Sequence, residues 1–254
     1  VISFESSRVL KLENSKIPDM KIGLLECDHV RDDFRHIAGD YREMFPALFK
    51  PLASDWEFTF YDVVNHHFPV SIDECDAYIC TGSKFSVYDQ EPWIETLKAF
   101  VRELYAHQKI YLGVCFGHQM LGEALGGKVQ KSAVGWCVGI HELTIIEPQK
   151  WMQPTQPTLN LLMMCQDQVH TLPPDSLVLA TTSDCPIAMF RVGERMLGVQ
   201  AHPEFPLAYE KELMLSRVER IGMPKIEAGL ESLSEPLHST LMAQWMIAFV
   251  KSVL

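Results

Sequence analysis

The segment Gly113-Val114-Cys115-Phe116-Gly117-His118-Gln119 sets a cysteine between two glycines, each two positions away. An apolar run, Ile110 to Val114, leads into it, and Met120, Leu121, Ala124 and Leu125 follow at helical spacing until Gly126-Gly127 stops the pattern. This is the layout of a nucleophile elbow with cysteine in place of serine. A side chain at either glycine would crowd the sharp turn. The helix that follows aims its first N–H groups at the sulfur, a field that favours thiolate, the nucleophilic form. Glycine-flanked strand-to-helix turns also serve structure alone, and free cysteine is among the most buried residue types. The motif by itself leaves both readings open.

A thiolate that attacks a carbonyl needs an oriented imidazole beside it. With 10 histidines in the chain, one candidate means little without its setting. His202 has such a setting, because it follows the apolar run Met196-Leu197-Gly198-Val199-Gln200-Ala201 and precedes Pro203-Glu204-Phe205. A carboxylate two positions on, with Pro203 stiffening the link, can hold the ring in the tautomer that accepts a proton from sulfur. An isolated His-Pro-Glu reads as a surface pair. At a strand end, and together with the elbow, the catalytic reading gains. His66 and His67 are adjacent and would point apart on a strand, with no carboxylate-histidine motif of ligand spacing beside them. No metal and no other cofactor is expected.

The elements that must position these residues can be read from hydrophobic patterning. Lys21 to Glu26, Trp56 to Val64, Asp76 to Cys80 and Ile110 to Val114 read as strands, and Tyr41 to Phe49 as a helix. Pro92 suits a first helical turn, and Trp93, Leu97, Phe100, Val101 and Leu104 continue it to about His107. Strand and helix alternate, which predicts an α/β fold with a mostly parallel central sheet flanked by helices. Further strands are expected at Gly139 to Ile146, Leu177 to Thr181, Ile187 to Arg191 and Met196 to Gln200, and helices near Leu207 to Ile221 and Leu237 to Val253. Residues 20–254 are read as one domain, with 206–254 its helical C-terminal extension. Residues 1–19 mix charged and isolated apolar residues and are expected to be a disordered or non-native extension, without the apolar core of a secretory signal.

The balance of 22 Lys and Arg against 33 Asp and Glu gives a net charge of −11, with no basic stripe to grip nucleic acid phosphate. Seven cysteines without a Cys-x-x-Cys pair argue against a disulfide framework or zinc ribbon and suit a reducing, cytoplasmic setting. No stretch is apolar enough over enough length to span a bilayer, so no membrane partner is expected.

The elbow and Ala201-His202-Pro203-Glu204-Phe205, taken together, resemble the class I (triad) glutamine amidotransferases, and most of all stand-alone relatives of the glutaminase domain of GMP synthase. The resemblance spans about Met20 to Phe205 in element order and implies their flavodoxin-like fold. It maps the family's triad onto Cys115, His202 and Glu204. Thr81-Gly82-Ser83 stands where the family has its oxyanion loop, often Gly-Gly-Pro; Gly82 is kept, and its N–H would act with that of Phe116. Gln119 matches a residue that contacts substrate glutamine. Cys165-Gln166-Asp167-Gln168-Val169 resembles a His-x-Asp-x-Val segment with cysteine for histidine, which implies Asp167 as a contact to the substrate's α-amino group; a surface turn is the alternative.

The resemblance implies hydrolysis of the glutamine side-chain amide through a γ-glutamyl thioester. An amidotransferase hands its ammonia to a synthetase. The sequence holds no Gly-x-x-x-x-Gly-Lys-Ser/Thr loop, so the acceptor site would lie on a separate synthetase subunit. A γ-glutamyl peptide or amide hydrolase would use the same triad with a larger leaving amine. A non-catalytic regulatory subunit is the third reading, although all three triad positions stand.

Overall fold

The computed structural model describes residues 20–254; the expectation for 1–19 lies outside the described residues. In chain order the strands are β1 (Met20–Leu25), β2 (Trp56–Tyr61), β3 (Ala77–Cys80), β4 (Ile110–Val114), β5 (Lys128–Lys131), β6 (Cys137–Ile145), β7 (Thr158–Cys165), β8 (Asp167–Thr171), β9 (Ser176–Thr181), β10 (Met189–Val192) and β11 (Met196–Val199). The helices are α1 (Arg35–Ala38), α2 (Tyr41–Phe49), α3 (Pro92–Ala106), α4 (Phe116–Ala124), α5 (Leu207–Leu215), α6 (Val218–Ile221), α7 (Met223–Ser232) and α8 (Ser239–Ser252).

Among the described residues the main sheet has nine strands in the order β2-β1-β3-β4-β11-β10-β9-β6-β7, and β5 pairs with β8 in a separate ribbon. From β2 to β11 neighbours run parallel, and from β11 to β7 they run antiparallel. Strands β3, β4 and β11 are buried on both faces, and β1 nearly so, while the edge strand β2 leaves Glu57, Thr59 and Phe60 exposed. Ile22, Leu24, Ile79, Leu112 and Val114 join one apolar cluster with α2 and α8. Leu25, Tyr78, Cys80 and Tyr111 turn the other way, onto α3 and α4. Strands with both faces covered read as continuous apolar runs, which is why these were legible.

Several boundaries differ from the patterning. The strand expected to reach Val64 stops at Tyr61, because Asp62 draws Asn65 into a 3-10 turn with two side-chain bonds of 3.1 and 3.0 Å. The patterning does not mark strands β5, β7 and β8 or helices α1 and α7. The helix expected over Leu207 to Ile221 is two pieces. Ser216 bonds back to the Leu213 carbonyl at 2.8 Å, closing α5, and Gly222 at φ 92° separates α6 from α7. Trp245, Ile247 and Phe249 of α8 are buried in the first cluster, the core packing expected of that stripe.

Candidate active site

Register places the site. Gly113 of β4 lies opposite Cys80 of β3 on one side and Gly198 of β11 on the other. The segments leaving these three parallel strands therefore emerge side by side at one sheet edge: Thr81-Gly82, Cys115 and Ala201-His202. The carboxyl ends of parallel strands are the usual ligand-binding edge of such sheets.

Cys115 links β4 to α4 with φ 50° and ψ −99°, a backbone state that side chains rarely adopt. Such strain costs on the order of 1–3 kcal/mol and persists only where surroundings impose it. Here they do. The Cys115 N–H donates to the Val199 carbonyl at 2.9 Å, and the Gly117 N–H donates to the Thr81 carbonyl at 3.1 Å. The two flanking glycines permit this closeness: a Cβ on Gly113 would sit 2.4 Å from the Gly117 oxygen, and one on Gly117 would sit 2.3 Å from the Cys80 oxygen. The N–H groups of Gly82 and Phe116 have no acceptor among the described residues. Phe116 opens α4, where the helix leaves its first donors free.

His202 is buried, and its N–H donates to the Leu162 carbonyl of β7 at 2.7 Å. Its Nδ1 lies 2.8 Å from Glu204 Oε1, which leaves Nε2 for the sulfur. Burial works against charge on this ring, but the Cys115 side chain and the Glu204 carboxylate outweigh it and raise its pKa well above the ordinary value. Phe205 stacks on the imidazole, and Gly82 faces its edge so closely that a Cβ there would fall 2.7 Å from Cε1. An imidazole held between a carboxylate and a thiol can move a proton to and from sulfur.

The remaining expected residues lie beside this core. Gln119, one turn into α4, is buried and donates through Nε2 to the Asp167 carbonyl at 2.7 Å and to Gln200 Oε1 at 3.3 Å. Asp167 is not a surface turn. It opens β8 and lines a cleft together with Cys115 and Gln119. Its carboxylate accepts hydrogen bonds from the Ser86 hydroxyl at 2.5 Å and the Tyr88 hydroxyl at 3.0 Å. Ser86, Tyr88 and, across the site, Tyr41 and Arg217 escaped the sequence reading, because loop residues and single side chains leave no periodic signal. Among the described residues no cluster of His, Cys, Asp or Glu could hold a metal ion, and no helix is long and apolar enough to cross a membrane.

Residues 60–219 match the model of the glutamine amidotransferase class-I family, and the chain belongs to that family. It is 27% identical over 191 residues to γ-glutamyl peptidase 3 of Arabidopsis thaliana, 72% of this chain and 74% of that one. A shorter stretch of 101 residues, 37% of this chain, is 34% identical to a glutamine-hydrolyzing GMP synthase of Baumannia cicadellinicola and covers 19% of it. The fold is that of a glutamine amidotransferase from Thermotoga maritima, with a TM-score of 0.72 at 17% identity, covering 92% of this chain and 97% of the other.

Proposed function

We propose that this chain hydrolyses a γ-glutamyl amide bond, with Cys115 as nucleophile, His202 as proton carrier and Glu204 orienting it. The observation that carries this reading is the buried imidazole bonded to Glu204 at 2.8 Å and interacting with the elbow cysteine. The thiolate attacks the γ-carbonyl carbon, and the N–H groups of Gly82 and Phe116 receive the oxyanion. The C–N bond breaks as His202 protonates the departing amine, leaving a γ-glutamyl thioester. Water then gives its proton to His202, attacks the thioester, and releases glutamate and thiolate. Asp167 holds the substrate's α-amino group, with Gln119 shaping the same cleft.

Glutamine is the smallest substrate of this kind. Its ammonia would pass to a separate synthetase if the chain works as an amidotransferase. The γ-glutamyl peptidases among its relatives favour a second reading, a larger leaving amine on the same acyl chemistry. Purified protein is assayed for glutamate release from glutamine and from γ-glutamyl peptides, with Cys115→Ala as control. The reading requires release by the wild type and its loss in the variant; activity retained in Cys115→Ala refutes it. Labelling with a glutamine-analogue electrophile, alone and in cell extract, separates a self-sufficient enzyme from a partner-activated glutaminase.

A further inference from the structure

Two clefts meet at the candidate site, and they differ in which reacting residue they expose. The first contains Cys115, Gln119 and Asp167. The second contains His202 and not Cys115. Ser83, Lys84, Met164 and Arg217 line both and form the ridge between them. If Cys115 and Asp167 hold the γ-glutamyl half, the amine protonated by His202 departs into the second cleft. Ammonia needs no such space.

The second cleft is two-sided: Phe34, Tyr41, Phe205, Tyr209 and Leu213 supply an aromatic and apolar wall, and charged side chains line the rest. Tyr209 meets Phe205 edge to face at 4.7 Å, and Phe205 in turn covers His202. Besides His202, which is paired with Glu204, four cationic side chains reach this cleft, and three are already matched. His29 lies 2.9 and 3.0 Å from Asp40 and Asp62, Lys84 lies 2.8 Å from Asp28, and Arg31 pairs with Asp33. Arg217 is the fourth. Among the described residues it has no ion pair, and its guanidinium has no hydrogen-bond acceptor, although the residue is half-buried. Burial pulls its pKa down. A guanidinium carries five donors in a planar fork suited to a carboxylate, and none of the Arg217 nitrogens is sealed from solvent, so the fork is open to an incoming ligand. The chain sets this fork at the junction of α5 and α6, where the helix break turns Arg217 toward the ridge.

We infer that the second cleft is the leaving-group site, that it takes an amino acid or short peptide with an apolar side chain, and that Arg217 binds that group's free carboxylate. This rests on the γ-glutamyl hydrolase reading and adds the substrate class: γ-glutamyl peptides ending in a carboxylate. Arg217 is a specificity residue here; it touches the substrate but moves no proton.

The test compares γ-glutamyl-leucine with γ-glutamyl-leucinamide, which differ only in that carboxylate, on the purified full chain. A charge-assisted contact of this kind should give the acid a kcat/KM at least about 10-fold higher than the amide. In Arg217→Gln the preference should fall toward unity, mainly through KM for the acid, and Arg217→Lys should retain part of it. Equal rates for acid and amide in the wild type overturn the inference, and so does an Arg217→Gln variant that slows both equally, since that places Arg217 on the γ-glutamyl half. Thermal unfolding monitors each variant; if Arg217→Gln fails to fold, the wild-type acid-to-amide ratio still decides. Failure of the two readings looks different. An enzyme that cleaves the amide or glutamine without preferring the acid lacks only this subsite. One that cleaves neither dipeptide nor glutamine removes the hydrolase reading, and the subsite with it.

Discussion

Phe205 lies flat against the imidazole of His202, with ring centroids 3.9 Å apart and planes 9° apart. The aromatic face is electron-rich, so it supports the protonated ring as well as fixing its plane. Phe205→Leu keeps the site apolar and removes that face. A loss of about 1 kcal/mol is expected, seen as a roughly fivefold drop in kcat/KM and a lower His202 pKa. Rate measurements against pH and imidazole NMR titration check both.

Gly82→Ala drives a methyl into the same imidazole from its edge, where the Cβ would lie 2.7 Å from Cε1. The ring must move, and misplacement by about an ångström costs on the order of 100-fold in rate. Glutamate release should fall by that factor while the circular dichroism spectrum is unchanged.

Gly117→Ala separates the elbow's structural demand from its chemistry. The new Cβ would meet the Cys80 carbonyl oxygen at 2.3 Å, and backbone cannot swing away as a side-chain end can. Destabilisation of about 2–3 kcal/mol is expected, lowering Tm by roughly 5–10 °C. Differential scanning calorimetry provides the check; an unchanged Tm contradicts the close packing of α4 on β3.

Glu210 of α5 makes stability depend on pH. Burial raises its pKa from 4.5 to about 7, although the Gly139 N–H donates to Oε1 at 3.2 Å, and Oε2 is buried without a partner among the described residues. The folded state therefore binds this proton more tightly than the unfolded state. Its contribution is fully present below pH 4.5 and lost as pH rises to about 7, worth on the order of 3 kcal/mol. Glu210→Gln should be nearly neutral at low pH and stabilising above pH 7, measured by urea unfolding across that range.

Asp167→Asn tests the α-amino contact. Ser86 and Tyr88 hold the carboxylate in place, so the substitution removes charge with little change of shape. KM for glutamine or a γ-glutamyl peptide should rise about 10-fold or more, the loss of one charge-assisted bond. An unchanged KM removes Asp167 from the binding site.

The inner strands of the sheet's parallel half are legible because they are buried on both faces and bounded by turn residues, and the edge strand β2 because its aromatic residues alternate. Strand β7 is not: of the β-branched and aromatic residues that mark strands, Thr-Leu-Asn-Leu-Leu-Met-Met-Cys has only Thr158 at its start, and its identity comes from pairing with β6. The break at Ser216 and Arg217 likewise depends on where α5 must stop against the core.

By itself the sequence determined the local chemistry: the glycine-flanked Cys115, the His202-Pro-Glu204 unit, and the strands that carry them. These are short-range facts, set by residue size and spacing along one stretch of chain. Only the tertiary structure decided that β4 and β11 lie side by side, which brings residues 87 positions apart to one sheet edge. It also decided that Ser86 and Tyr88 grip Asp167 and that Arg217, without an ion pair among the described residues, lies where the two clefts meet. Those relationships depend on strand order and on a helix break, and neither has a period that a linear pattern could reveal.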